Sequence, residues 1–119
     1  MASRKEIDNL ADELTASQKT LTALGNEVRL HLILCILRAP NCNGMRVGEI
    51  TNLTNLSRPA VSHHLQILKD AGIMKGRNEG TRNYYYFDAE EPFQQLIEAL
   101  QKAEDIMKTL PDRSGENDW

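Results

Sequence analysis

Long apolar runs are missing from this chain. No segment approaches the ~20 consecutive apolar residues that a membrane span requires. The first residues, Met1 to Asp8, are mixed in charge and lead into an amphipathic pattern, not into the apolar stretch of a signal peptide. The expectation is a cytoplasmic chain with no membrane partner. Cysteine is scarce as well. Cys35 and Cys42 do not make a disulfide framework. In such a compartment the patterns at Asn52 and Asn55 never meet the glycosylation machinery. Aromatic residues are 5% of the 119, against 40% hydrophobic, so a single domain with an aliphatic core is expected. No activated nucleophile, phosphate loop or paired catalytic carboxylates stand out, so no enzymatic activity and no cofactor are expected. A basic excess is missing too: the net charge is −3. Taken whole, that opposes a nucleic-acid partner. The charge is unevenly spread, however. Residues 1–56 are balanced, residues 57–85 carry +3 and residues 86–119 carry −6. Because charges beyond about 8–10 Å are screened at physiological salt, the local field decides what binds.

The positive stretch begins with the most informative segment, Ser57 to Gly72. Ser57 can cap a helix by accepting a bond from a free backbone N–H. Pro59 falls in the first turn, where a missing N–H costs little, and Gly72 suits the stop. Ala60, Val61, His64, Leu65, Ile67, Leu68 and Ala71 follow helical spacing and predict the inner face. Arg58, Ser62, His63, Gln66 and Lys69 fall opposite. A helix of this kind can anchor in a core and offer its outer face to the DNA major groove. Arg58, Ser62 and Gln66 recur at four-residue steps and share a face. In a groove, Arg58 would suit guanine and Gln66 adenine. His63 and His64 are neighbours that point to different sides, so they cannot chelate one ion together. His64 is expected among packed, hydrogen-bonded groups.

Elsewhere the chain reads as helices and one hairpin. Ile7, Leu10, Ala11 and Leu14 mark a first helix over roughly 3–18, and Leu21 and Leu24 extend its apolar contacts. A second helix runs from about Glu27 to Arg38. Being apolar nearly all round, it is expected to be central and buried on several sides. Met45 to Val47 suggests a short strand. Val47 to about Thr54 predicts a third helix, with Ile50 and Leu53 inward, and Asn55-Leu56 makes a tight turn into Ser57: helix-turn-helix spacing. Strand formers flanking Asn78-Glu79-Gly80-Thr81 predict a β-hairpin over 73–88. Alternation pairs Tyr85 with Phe87 on one side and Tyr84 with Tyr86 on the other, one pair facing the core. Arg77, Asn78, Thr81 and Arg82 lie near its tip and suit phosphates or the minor groove. From Glu91-Pro92 the helical period returns, with Phe93, Leu96, Ile97, Leu100, Ala103, Met107 and Leu110 in one stripe. Residues 111–119 read as a loose tail.

This order of elements is that of a winged helix: a mostly helical α+β domain spanning 1–119, with the helix-turn-helix at 47–72 and a wing at 73–88. The chain resembles the ArsR, or arsenic-repressor-like, family of bacterial transcriptional regulators. Leu24 to Leu30 resembles the start of the family's second helix and Val47 to Ile50 the start of its third. Leu56 to Ile73 is similar to its recognition helix, and Glu79 to Tyr85 to its wing. The resemblance covers roughly residues 20–88. It implies a homodimeric repressor on double-stranded DNA, released or engaged by a signal. Many members sense metals through a Cys-x-Cys pair at the start of the third helix, where this chain has Arg46 and Gly48. Others use Asp and His on the last helix, which has no histidine here. Neither metal site can be assembled, so none is expected.

The last helical stripe exceeds what so small a chain can cover. It predicts a dimer built from residues 1–24 and 91–110, through Ile7, Leu10 and Leu14 with Phe93, Leu96, Ile97, Leu100 and Met107. Two-fold symmetry is the commonest closure of such a patch, and it pairs with a palindromic operator. Two other readings stay open. One is a thiol-responsive repressor switching through Cys35 and Cys42, although Cys35 is expected to be a buried hydrophobe. The other is a winged helix that binds protein. The effector is not legible.

Overall fold

Three of the helices begin at a side-chain cap, Ser3, Asn26 and Ser57. The computed structural model describes residues 2–41, 43–111 and 114–115. Helix α1 (Arg4–Ala16) starts at a capping box: Ser3 Oγ accepts from the Glu6 amide at 3.1 Å, and the Glu6 carboxylate accepts from the Ser3 amide at 3.4 Å. The helical stretch is not continuous through residue 24. It breaks at Ser17 and restarts as α2 (Gln18–Leu24). Neither Gly nor Pro marks this break. Ser17 is buried there, and its hydroxyl has no partner among the described residues.

Helix α3 (Glu27–Arg38) is capped by Asn26, whose Oδ1 accepts from the Arg29 amide at 2.9 Å. Leu32, Ile33 and Ile36 are buried, but Val28, Leu30, Leu34 and Leu37 are exposed. The helix expected to be covered on several sides is thus covered on one, because only one of its faces meets the rest of this chain. Met45 forms a lone bridge to Tyr85 in place of a strand over 45–47, since Val47 already opens α4 (Val47–Thr54). Ile50 is fully buried, whereas Leu53, expected inward, faces out. Residues three apart on a helix diverge by about a sixth of a turn, and the inward side is taken by Ile50 and Thr54.

Asn55, at φ 59°, makes the corner between α4 and α5 (Arg58–Asp70). Asn tolerates the left-handed region better than most residues. Ser57 Oγ accepts from the Ala60 amide at 3.3 Å, and Pro59 occupies the first turn. Gly72, at φ +76°, turns the chain out of the helix. The wing is an antiparallel pair, β1 (Met74–Glu79) and β2 (Arg82–Phe87), in register Met74↔Phe87 through Glu79↔Arg82. Its loop is two residues, Gly80-Thr81, shorter than the four-residue turn expected, because Asn78 and Glu79 pair with Asn83 and Arg82. Gly80 supplies the positive φ that so tight a loop requires.

The core gathers Leu32, Ile36, Ile50, Val61, Leu65, Leu68, Ile73 and Met74, with Tyr85 and Phe87 packed against it. Helix α6 (Glu90–Lys108) lies along α1, with Lys102 ion-paired to Glu13. A compact domain of this length would have a radius of gyration of about 13.5 Å; here it is 18.8 Å, with a long axis of 58 Å. The chain is drawn out and does not close on itself. No described helix is long and apolar enough to cross a membrane.

Candidate nucleic-acid interface

Helix α5 is anchored along one side and open along the other. Val61, Leu65 and Leu68 are fully buried, so the helix cannot rotate without opening the core. That fixes which side chains face out. Ser57, Arg58, Ser62, His63, Gln66 and Lys69 are all exposed. Gln66 donates to Asp70 Oδ1 at 2.9 Å, and the Lys69 ammonium sits 5.8 Å from the centre of the Tyr85 ring. Both are contacts within the surface that a ligand can exchange. Arg58 makes no hydrogen bond or ion pair to the described residues, and its guanidinium turns back over the first turn of α4: a side-chain carbon at Gly48 would stand 3.9 Å from Nη1.

On the wing the two arginines differ. Arg82 is exposed and has no ion-pair partner among the described residues. Arg77 is held from four directions. It pairs with Glu79 at 3.1 Å, donates to the Asn43 carbonyl at 3.1 Å, and lies 5.1 Å and 5.8 Å from the Tyr84 and Tyr86 ring centres. Gly44 makes room for it, since a Cβ there would stand 2.7 Å from Nη2. Arg77 therefore ties the wing to the loop before α4. Asn78 and Thr81 are exposed along the same hairpin.

Beneath α5, Arg29 is the one buried cation among the described residues, 6% exposed. Its Nε donates to the Ala23 carbonyl at 2.9 Å and Nη2 to the Thr22 carbonyl at 3.0 Å. Nη1 makes a long contact of 3.5 Å with His64 Nδ1. A guanidinium can only donate, so Nδ1 is the acceptor and the neutral ring carries its proton on Nε2. Burial, then the Arg29 charge, then His63 hold the His64 pKa below its usual value. His64 is thus the packed, hydrogen-bonded histidine expected of the inner face. His63 stays outside, its ring centre 5.4 Å from that of His64.

A cleft of about 460 Å³ separates the start of α4 and α5 from the wing tip, lined by Arg46, Gly48, Asn52, Arg58, Thr81 and Asn83. Arg46, Asn52 and Asn83 were not marked as site residues by the sequence. Asn83 lies some thirty residues beyond the other two, and no sequence pattern links the three.

On the terminal helices, Ile7, Phe93, Ile97, Leu100 and Met107 are exposed, Leu10 and Leu14 are half-buried, and Leu96 is buried within its own chain. Leu96 packs inward with Ala99 and Ala103, so it is withdrawn from the exposed part of the stripe. Cys35 is half-buried, less enclosed than expected, with Sγ 3.7 Å from His31 Nε2. That His31 nitrogen donates to the Thr54 carbonyl at 3.1 Å. Cys42 lies outside the described residues, as does most of the tail expected at 111–119.

Residues 27–75 match the family described as "Bacterial regulatory protein, arsR family". An HTH-type transcriptional regulator of Methanocaldococcus jannaschii is 48% identical over 64 residues, 54% of this chain and 68% of that one. A homologue of the cadmium resistance regulatory protein CadC of Staphylococcus aureus is 35% identical over 81 residues, 67% of this chain and 63% of that one. Among solved structures, a homodimeric winged helix-turn-helix DNA-binding domain of Mycobacterium bovis superposes with a TM-score of 0.56 at 28% identity, over 88% of each chain. The relatives bear the names of transcriptional regulators, not of enzymes. With a capped helix-turn-helix, a paired wing and these likenesses in one chain, the protein belongs to the ArsR family of winged-helix transcriptional regulators.

Proposed function

We propose that this protein is a homodimeric DNA-binding repressor, acting in the cytoplasm on a palindromic operator. One observation carries the reading: the inner face of α5 is locked in the core while every polar residue of its outer face is exposed beside a basic hairpin. Ser62, His63 and Gln66 then read base edges, a good bidentate contact being worth roughly 1–3 kcal/mol of discrimination. Ser57, Lys69, Asn78, Thr81 and Arg82 set register on the backbone. Arg77 acts through the wing that it holds in place. The terminal helices (1–24 and 91–110) join two copies through Ile7, Leu10, Leu14, Phe93, Ile97, Leu100 and Met107. Such a pair sets two copies of α5 about one DNA turn apart, ~34 Å. We take the signal to be of a non-metal kind, because Arg46 and Gly48 stand where the family's Cys-x-Cys pair would and the last helix has no histidine.

Titration with labelled duplexes at several salt concentrations tests this. Affinity should fall steeply as salt rises, and footprinting on flanking genomic DNA should protect two half-sites. A response flat in salt favours the protein-binding reading instead.

A further inference from the structure

We propose that the cleft between α4, α5 and the wing tip seats one backbone phosphodiester of DNA, with Arg46 and Arg58 as its two cations. This rests on the DNA-binding reading and adds a site to it. The two guanidiniums are contributed by residues that precede α4 and open α5, and both border the same concavity. Among the described residues neither makes an ion pair or a side-chain hydrogen bond. One acid, Glu49, also lines the cleft and leaves it a net charge of +1, but its oxygens are turned to other donors. Its Oε1 accepts from the Arg46 amide at 3.1 Å, and its Oε2 accepts from Asn41 Nδ2 at 2.9 Å. Both carboxylate oxygens are therefore engaged by donors other than the two guanidiniums.

Besides the two arginines, Glu49 and the apolar Val47, the lining carries the uncharged polar side chains Asn52 on α4 and Thr81 and Asn83 on the wing. An amide and a hydroxyl can donate to phosphate oxygens while the arginines supply charge in a forked, bidentate geometry. The start of α4 adds the partial positive charge of a helix amino end. The placement also fits the path of a duplex. With α5 in the major groove and the hairpin beside it, the strand separating the two grooves runs between them, where the cleft lies. This assigns Arg58 a backbone contact in place of the guanine contact that its position on the outer face suggests.

Arg46→Gln, Arg58→Gln and the double variant are titrated with a random-sequence duplex over a range of salt, and with the footprinted operator. The double variant should lower the slope of log K against log salt by about 0.9, the value for one phosphate. Each single change should lower it by part of that, and all should weaken both duplexes by the same factor. The double variant should lose less than the product of the single losses, because the two side chains share one anion. Circular dichroism checks that each variant is folded. A slope unchanged by Arg46→Gln, or an operator-to-random ratio altered by Arg58→Gln, overturns the subsite while leaving DNA binding standing. A wild-type chain that binds no duplex overturns both.

Discussion

The end of the molecule that carries α5 and the end built from α1 and α6 treat their apolar side chains differently. Val61, Leu65 and Leu68 of α5 are at most 1% exposed. On α6, Ile97 is 58%, Leu100 49% and Met107 66% exposed, and α1 has no buried residue. Both helices are amphipathic by sequence. One meets a complete core inside its own chain, while the other is covered only along Leu96, Ala99 and Ala103. An amphipathic stripe therefore tells that a face is to be covered, and the surrounding fold tells whether the chain can cover it alone. The first end is finished as a monomer. The second has the composition of an interface awaiting a second copy.

The sharpest way to break this contrast is in the core. Leu65→Ala should cost about 2–5 kcal/mol of stability by urea titration, whereas Leu100→Ala should cost far less in the monomer. Next, the paired change Ile97→Glu and Leu100→Glu should leave helical content intact and convert the protein to monomers by sedimentation. Unchanged mass would mean that the exposed stripe is not the joint. A smaller effect is expected on the wing. Gly44→Ala drives a carbon into Arg77, so it should weaken duplex binding about as much as Arg77→Ala while leaving the salt slope unaltered. A slope lowered as by Arg82→Ala would return Arg77 to direct phosphate contact. The smallest effect is one of pH. The folded His64 pKa lies below 6.5, so between the two values the unfolded chain binds more protons. Stability is held above about pH 6.5 and falls as the pH drops toward the folded value. His64→Gln should flatten the urea midpoint across that window.

Where local chemistry sets the structure, the sequence was readable. Asn26, Ser57 with Pro59, and Gly72 punctuate α3 and α5, and the sequence-based boundaries of α3 and α4 coincide with the observed ones. Strand alternation paired Tyr85 with Phe87 and required one pair to face the core; the structure shows that it is this pair. The break at Ser17 was not readable, since no helix-breaking residue announces it. Leu30, Leu34 and Leu37 look like core residues in one dimension and are exposed in three, because burial depends on what else packs there. The charged cleft shows the same limit more strongly. Arg46, Arg58 and Asn83 come together only once the helix-turn-helix and hairpin have docked, and the free Arg82 and the fastened Arg77 are indistinguishable as letters.

Arg29, on α3, bridges α2 and α5. One edge of its guanidinium is committed to the carbonyls that terminate α2, and another faces His64 under α5. Prising these helices apart would break hydrogen bonds made by a charged donor, each worth about 1.5–3 kcal/mol. A single buried side chain on α3 thus ties α2 to the underside of the reading helix.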